Sequence, residues 1–143
     1  MIVVSDTSPL TALLTVGEAD ILYQLFGDVI IPPEVQKKLA RSHASMPLWI
    51  RVEAVRNQAE SARLSQIVDK GEAEAIELAK ELHADRLLID ERKGRRLAMQ
   101  EGVPVIGLLG VVLLAKHRQM IPSARIARKT RSRSRNVSGI GTA

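Results

Sequence analysis

Residues 1–10 constrain the fold more than any other part of the chain. A short apolar run at positions 2–4 is followed directly by polar residues and a proline. An apolar run without polar alternation is typical of a strand buried on both faces of a parallel sheet. Ser8 is predicted to be the N-cap of a helix that begins at Pro9, where the missing N–H costs nothing. Asp6 then falls between strand and helix, at the sheet edge where open α/β proteins bind their ligands.

Short aliphatic segments alternate with helical patterns along the next hundred residues. This alternation predicts an α/β fold with a parallel central sheet. Further strands are predicted over 29–31, 52–55, 86–89 and 103–106, with a loop over 41–50. Helices are predicted over 19–26, 33–40, 57–67, 72–82, 92–100 and 108–118.

The composition narrows the function classes. A chain of 143 residues with 45% apolar content and no cysteine is expected to form one domain without disulfides, thiolate metal sites or cysteine nucleophiles. A reducing, cytoplasmic location is the expectation. No leader is recognised at the N-terminus, and no apolar run approaches the ~20 residues needed to cross a membrane.

The net charge of +5 is unevenly distributed. Residues 1–121 hold 15 Lys/Arg and 16 Asp/Glu, whereas residues 122–143 hold 6 Lys/Arg and no acid. We therefore expect a globular domain over 1–121 and a basic, disordered tail over 122–143. The tail is interpreted either as a solvated extension or as an arm that binds phosphates without sequence preference.

Two acids occupy equivalent positions in the predicted fold. Asp6 follows the first strand and Asp90 follows the strand over 86–89. If those strands are parallel neighbours, both carboxylates point into one crevice. Either acid could merely cap a helix, but two adjacent carboxylates usually need a cation, and oxygen ligands suit Mg²⁺ or Mn²⁺.

Helical phase separates Glu72 from the acids around it. Glu72 shares the apolar face of the helix over 72–82, whereas Glu74, Glu77 and Glu81 are predicted to form a solvated face. Glu72 could favour the helix dipole or reach a metal across the crevice. Glu91 is interpreted as an acid at the start of a helix, or as a residue that supports the site.

Five motifs in order and in register resemble the PIN-domain nucleases, and most closely the VapC-like toxin subgroup of type II toxin–antitoxin systems. The resemblance covers residues 1–121. Its motifs are Ser5-Asp6-Thr7-Ser8-Pro9-Leu10, Ile31-Pro32-Pro33 with Val35, Gly71-Glu72-Ala73-Glu74-Ala75-Ile76, Leu88-Ile89-Asp90-Glu91-Arg92 with Arg95-Arg96, and Val105-Ile106-Gly107-Leu108-Leu109-Gly110.

The resemblance implies a three-layer α/β/α PIN-like fold with a short central parallel sheet. It also implies a ribonuclease dependent on Mg²⁺ or Mn²⁺, whose partners are an RNA substrate, a cognate antitoxin and a second copy of the chain. The family's catalytic and metal-binding acids map onto Asp6, Glu72 and Asp90, with Ser8 as a nearby polar contact. Separately from the resemblance, Arg92, Arg95 and Arg96 are interpreted either as a solvated helix face or as contacts to the phosphate backbone.

The sequence departs from the family pattern at Lys38, where the family normally carries a glutamate. Glu34, one helical turn earlier, is a candidate substitute ligand. Lys38 motivates an alternative function, a degenerate PIN fold that binds antitoxin or RNA without cleavage. An aspartyl-phosphate protein is a third hypothesis, but the second acid after Asp6 and the lysine after the last strand that it requires are missing.

Overall fold

A computed structural model describes residues 1–119, so the predicted tail over 122–143 lies outside the described residues. The described part contains seven helices and five strands. In chain order they are β1 (Val3–Ser5), α1 (Thr7–Thr15), α2 (Asp20–Phe26), β2 (Val29–Ile31), α3 (Pro33–Ser42), β3 (Ile50–Val52), α4 (Gln58–Leu64), α5 (Lys70–Glu81), β4 (Arg86–Leu88), α6 (Arg92–Gln100), β5 (Val105–Ile106) and α7 (Leu108–His117).

The five strands form one parallel sheet with the order β3-β2-β1-β4-β5. The chain adds strands on one side of β1 as far as β3, then crosses to the other side to add β4 and β5. The topology therefore reverses between β1 and β4, where Ser5 lies opposite Leu88. The structure meets the condition set for Asp6 and Asp90, because β1 and β4 are parallel neighbours.

Alternating side chains of β1 face two separate apolar layers. Val3 packs into a layer built with α1, α2, α3 and α7, and Val4 packs into a layer built with α4, α5 and α6. Both valines are fully buried, as expected for a central strand with helices on both faces. The predicted three-layer α/β/α architecture with a short central parallel sheet is thus confirmed.

Helix α5 is enclosed on more sides than its amphipathic pattern indicates. Residues 71–79 are all buried, and Glu74 and Glu77 are only 8% and 4% exposed, so the predicted solvated face is wrong for these two acids. The reason is that α3 and α4 pack against α5 in addition to the sheet. Glu74 accepts a hydrogen bond from the Glu34 backbone N–H at 3.1 Å, and Glu77 pairs with Lys80 at 3.5 Å.

Two predicted boundaries are also corrected. Helix α1 begins at Thr7, with Asp6 at the N-cap position, so the predicted start at Ser8 and Pro9 is wrong by two residues. Proline is tolerated anywhere in the first turn, because the first N–H groups of a helix lack intrahelical partners. The third strand covers Ile50–Val52 and not 52–55.

Within residues 1–119, no helix has the length and apolarity that crossing a membrane requires.

Candidate acidic active site

Asp6 is the first residue after β1, at the edge where the sheet topology reverses. Its backbone N–H donates to the Leu88 carbonyl of β4 at 2.9 Å, which extends the pairing of the two strands by one residue. Asp6 occupies the N-cap position of α1, yet its carboxylate makes no capping hydrogen bond. Position alone therefore suggested a cap, but the side chain does not act as one.

The Asp6 carboxylate is buried and incompletely satisfied. The residue is 4% exposed, and neither its Oδ1 nor the neighbouring Thr7 Oγ1 has a hydrogen-bond partner in the described part of the chain. Burial raises the pKa of Asp6 to about 6, and the negative charges of Asp69 and Asp90 contribute to the rise. A hydrogen bond from the Thr7 backbone and the positive charge of Lys38 act to lower the same pKa. Buried polar atoms normally have hydrogen-bond partners, so these two oxygens are among the exceptions in the described part of the chain.

Glu72 reaches the same region from the first turn of α5. It forms a capping box with Asp69: Asp69 Oδ1 accepts from the Glu72 N–H at 2.8 Å, and Glu72 Oε1 accepts from the Asp69 N–H at 3.3 Å. Burial, reinforced by the charges of Asp69 and Asp6, raises the pKa of Glu72 to about 7. Glu72 therefore both supports the helix start and interacts electrostatically with Asp6.

Gly94 of α6 provides room for the Glu72 carboxylate. A Cβ at position 94 would lie 3.0 Å from Glu72 Oε2 and 2.7 Å from Ile89 Cδ1. Such distances are shorter than ordinary van der Waals contact, so a larger residue would displace one of these groups. The glycine thus keeps open the space into which Glu72 Oε2 points.

Asp90 follows β4 and is more exposed than the other two predicted ligands. Its Oδ1 accepts from the Leu108 N–H at 2.7 Å, at the start of α7. A Cβ at Gly107 would meet Asp90 Oδ1 at 2.9 Å and Arg95 Nη1 at 2.7 Å, so the two charged groups approach the same point. Arg95 is itself held by donating to the Ile89 carbonyl at 3.0 Å.

Sequence analysis missed a fourth acid, Asp69. Its charge raises the pKa of both Asp6 and Glu72, and its Oδ2 lies 3.3 Å from Lys38 Nζ. The signal for its position was present, because Asp69 and Glu72 have the spacing of a capping box. Asp6, Asp69, Glu72 and Asp90 are hereafter called the acidic site.

The remaining predicted site residues, Glu34, Glu91 and Ser8, make other contacts or are exposed. Glu34 Oε2 lies 3.8 Å from the ammonium groups of both Lys37 and Lys70. Glu91 is the N-cap of α6 and accepts from the Gly94 N–H at 2.8 Å, a bond that lowers its pKa. Ser8 is exposed in the first turn of α1. None of these side chains has the buried, unpaired character of Asp6.

A basic groove begins at Asp90 and runs along α6. It has a volume of about 440 Å³ and is lined by Asp90, Arg92, Arg95, Arg96 and Met99. Arg92 and Arg96 are exposed, so their guanidinium groups are accessible to an anion. We refer to this feature as the arginine groove.

The acids interact without forming a preassembled coordination shell. Across residues 1–119, no three His, Cys, Asp or Glu side chains converge closely enough to hold a metal ion as they stand. Glu72 Oε1 accepts from the Asp69 N–H, and Asp90 Oδ1 accepts from the Leu108 N–H. The second oxygen of each carboxylate makes neither of these bonds.

Comparison with known proteins identifies the family but supplies no individual relative. No curated protein and no solved structure matches the chain significantly. A family model described as a PIN domain matches residues 2–129, which includes every member of the acidic site. Proteins with this domain are generally nucleases. The chain belongs to the PIN-domain family.

Proposed function

We propose that this chain is a metal-dependent endoribonuclease that hydrolyses RNA phosphodiester bonds, with Asp6, Glu72 and Asp90 as its metal-binding and catalytic acids. The observation that carries the proposal is the buried Asp6 carboxylate, whose Oδ1 has no hydrogen-bond partner in the described chain. It lies at the crevice where the order of the strands reverses, which is the usual ligand site of an open α/β sheet.

The donor chemistry fits a hard divalent cation. Asp6, Glu72 and Asp90 supply only carboxylate oxygens, and such ligands suit Mg²⁺ or Mn²⁺. The raised pKa values of Asp6 and Glu72 are what uncompensated negative charge in a buried place produces. When bound, the ion would lower the pKa of a coordinated water and stabilise charge on the phosphoryl oxygens.

The other groups of the site have distinct roles in this proposal. Asp6 and Glu72, once ionised, orient the reacting centre, one from the end of β1 and one from the first turn of α5. Arg92 and Arg96 bind the phosphate backbone beside Asp90, because their exposed guanidinium groups lie in the arginine groove. With 2% aromatic residues the chain has little capacity to stack bases, so recognition depends on phosphate contacts and shape.

We further propose that the protein is the toxin of a toxin–antitoxin pair that acts in the cytoplasm. Its partners would be RNA, a cognate antitoxin and a second copy of the chain. The five sequence motifs that resemble VapC-like toxins support this role. In the same proposal Glu34 is the candidate additional ligand, although its carboxylate pairs with Lys37 and Lys70.

The competing function is a PIN domain that binds RNA or antitoxin without cleaving. A specific observation favours it, since the Lys38 ammonium lies 3.3 Å from Asp69 and lowers the pKa of Asp6. A fixed positive charge beside the acids competes with a metal ion for them.

The test incubates the full chain with a single-stranded RNA and with DNA of the same sequence, each with Mg²⁺, with Mn²⁺ or with a chelator. The proposal predicts cleavage of RNA that the chelator abolishes and added metal restores. No cleavage by the wild type, combined with cleavage by Lys38→Glu, would favour the non-cleaving function. Equal cleavage of both nucleic acids would contradict the proposed substrate.

A further inference from the structure

Met99 is an exposed apolar side chain in a groove that is otherwise lined by charged residues. It is 59% exposed and shares the arginine groove with Asp90, Arg92, Arg95 and Arg96. Single apolar residues are common on protein surfaces. This one, however, lines a cavity of about 440 Å³ beside three guanidinium groups. A ligand that fills the groove would therefore contact both charged groups and the methionine thioether.

Helical spacing gives the groove a direction. Arg95, Arg96 and Met99 follow Arg92 by three, four and seven residues, so the four side chains share one face of α6. Arg92 is the first residue of α6 and lies next to the Asp90 end of the groove. Met99 lies about 10 Å further along the helix axis, at 1.5 Å per residue. The groove thus leads from the acidic site, past the guanidinium groups, to an apolar surface.

This order of surfaces matches a nucleic-acid strand that leaves the acidic site. The exposed guanidinium groups of Arg92 and Arg96 suit phosphates. Every nucleobase has an aromatic face, and a methionine thioether makes favourable contacts with aromatic rings. An acidic peptide with apolar side chains would match the same groups, but the continuity of the groove with Asp90 favours RNA.

No aromatic side chain lines the groove, so none is available there to stack on a base. The chain has one Tyr, one Phe and one Trp. Tyr23 and Trp49 pack on each other with ring centroids 6.0 Å apart, and Phe26 is buried in the apolar layer that contains Val3. A base in the arginine groove would meet Met99 instead.

We propose that Met99 is a nucleobase-binding residue, so that the arginine groove binds RNA with phosphates at Arg92 and Arg96 and a base against the Met99 side chain. The inference rests on the proposed function, because it takes the ligand of the groove to be RNA. It does not depend on metal binding, since the contacts are made by side chains of α6.

The experiment compares two ligands of the full-length protein in the presence of a chelator, so that binding is measured without cleavage. One is a short single-stranded RNA, and the other is an abasic strand with the same number of phosphates. Met99→Ala is expected to weaken RNA binding by about threefold to tenfold, the size of a thioether–ring contact, and to leave binding of the abasic strand unchanged. Alanine favours the helix, so α6 is expected to remain folded.

Two control variants separate the base contact from the phosphate contacts. Leu109→Ala removes an apolar side chain that is 70% exposed on α7 and does not line the groove, and it is expected to bind both strands as the wild type does. Arg92→Gln/Arg96→Gln is expected to weaken binding of both strands by the same factor, because the two ligands carry equal numbers of phosphates.

An unchanged RNA affinity in Met99→Ala, or an equal loss for both strands, would overturn the inference while leaving the proposed nuclease function intact. A change in oligomeric state on gel filtration with unchanged RNA affinity would also overturn it, since Met99 would then contact protein. Failure of the wild type to bind either strand would overturn the inference as well. Only if Mn²⁺-dependent cleavage of RNA were also absent would the proposed function be contradicted with it.

Discussion

The Asp6 backbone N–H donates to the Leu88 carbonyl at 2.9 Å, and this bond sets the relative position of the ends of β1 and β4. Since it continues the parallel ladder by one residue, the acids that follow the two strands emerge at the same edge. The Asp90 charge correspondingly raises the pKa of Asp6. The bond therefore links the strand register to the electrostatics of the acidic site.

Replacing Asp6 by asparagine should stabilise the metal-free protein at high pH. Folding raises the pKa of Asp6 from 3.8 to about 6, so ionising this group costs folded-state stability as the pH rises through that interval. Asp6→Asn should raise the free energy of unfolding by up to about 3 kcal/mol at pH 8 and by little at pH 4. Urea denaturation at both pH values, with the exposed Asp20→Asn as control, measures this; a gain that does not depend on pH would contradict the account.

The capping hydrogen bond that Asp69 accepts at the start of α5 should contribute measurably to stability. Asp69→Ala removes both the capping acceptor and the Lys38 partner, whereas Asp69→Asn keeps an acceptor for the Glu72 N–H. We expect Asp69→Ala to be less stable than Asp69→Asn by about 1 kcal/mol, the usual value of an N-cap. Equal midpoints in urea would show that the cap contributes nothing.

Enlarging Gly94 should weaken metal binding more than folding. In Gly94→Ala the new methyl group would lie 3.0 Å from Glu72 Oε2, so the carboxylate must move. The gain in helix propensity, about 1 kcal/mol, offsets part of the crowding against Ile89. Thermal denaturation should therefore change little, whereas Mn²⁺ affinity should fall; unchanged affinity would mean that Glu72 is not a ligand.

The arginine groove should account for part of the salt dependence of RNA binding. The double variant Arg92→Gln/Arg96→Gln should weaken binding of single-stranded RNA and lower the slope of log affinity against log salt by about 0.7 for each phosphate that is no longer neutralised. Lys116→Gln, an exposed charge on α7, is the matched control. A slope identical to that of the wild type would exclude these arginines from the RNA interface.

Local patterns predicted the parts of the fold that depend on local chemistry. The apolar run of β1, the proline start of α3 and the bounds of α6 could be predicted because each is set by neighbours in sequence. The sequence placed Asp6 and Asp90 at one edge only on the condition that their strands are parallel neighbours, and the structure supplies that condition. The expected helix start at Pro9, with Ser8 as N-cap, was wrong because Thr7 and Ser8 are compatible with a first helical turn as well as with a cap.

Interactions between residues distant in sequence could not be predicted in the same way. Glu74 and Glu77 are buried because α3 and α4 cover the flanks of α5, and no periodicity within α5 reports that. The Lys38–Asp69 pair likewise depends on how α3 lies against α5. The sequence pattern marks Lys38 as an unexpected residue but does not indicate which acid it meets.

The most direct test of the account is the rate of Mn²⁺-dependent cleavage of single-stranded RNA by the wild type, Asp6→Asn and the control Asp20→Asn, prepared identically. We expect Asp20→Asn to cleave as the wild type does. We expect Asp6→Asn to lose on the order of a hundredfold or more in rate, the size of effect typical of removing a group that stabilises transition-state charge. Cleavage by Asp6→Asn at the wild-type rate would contradict the central claim that this buried carboxylate is part of the catalytic site.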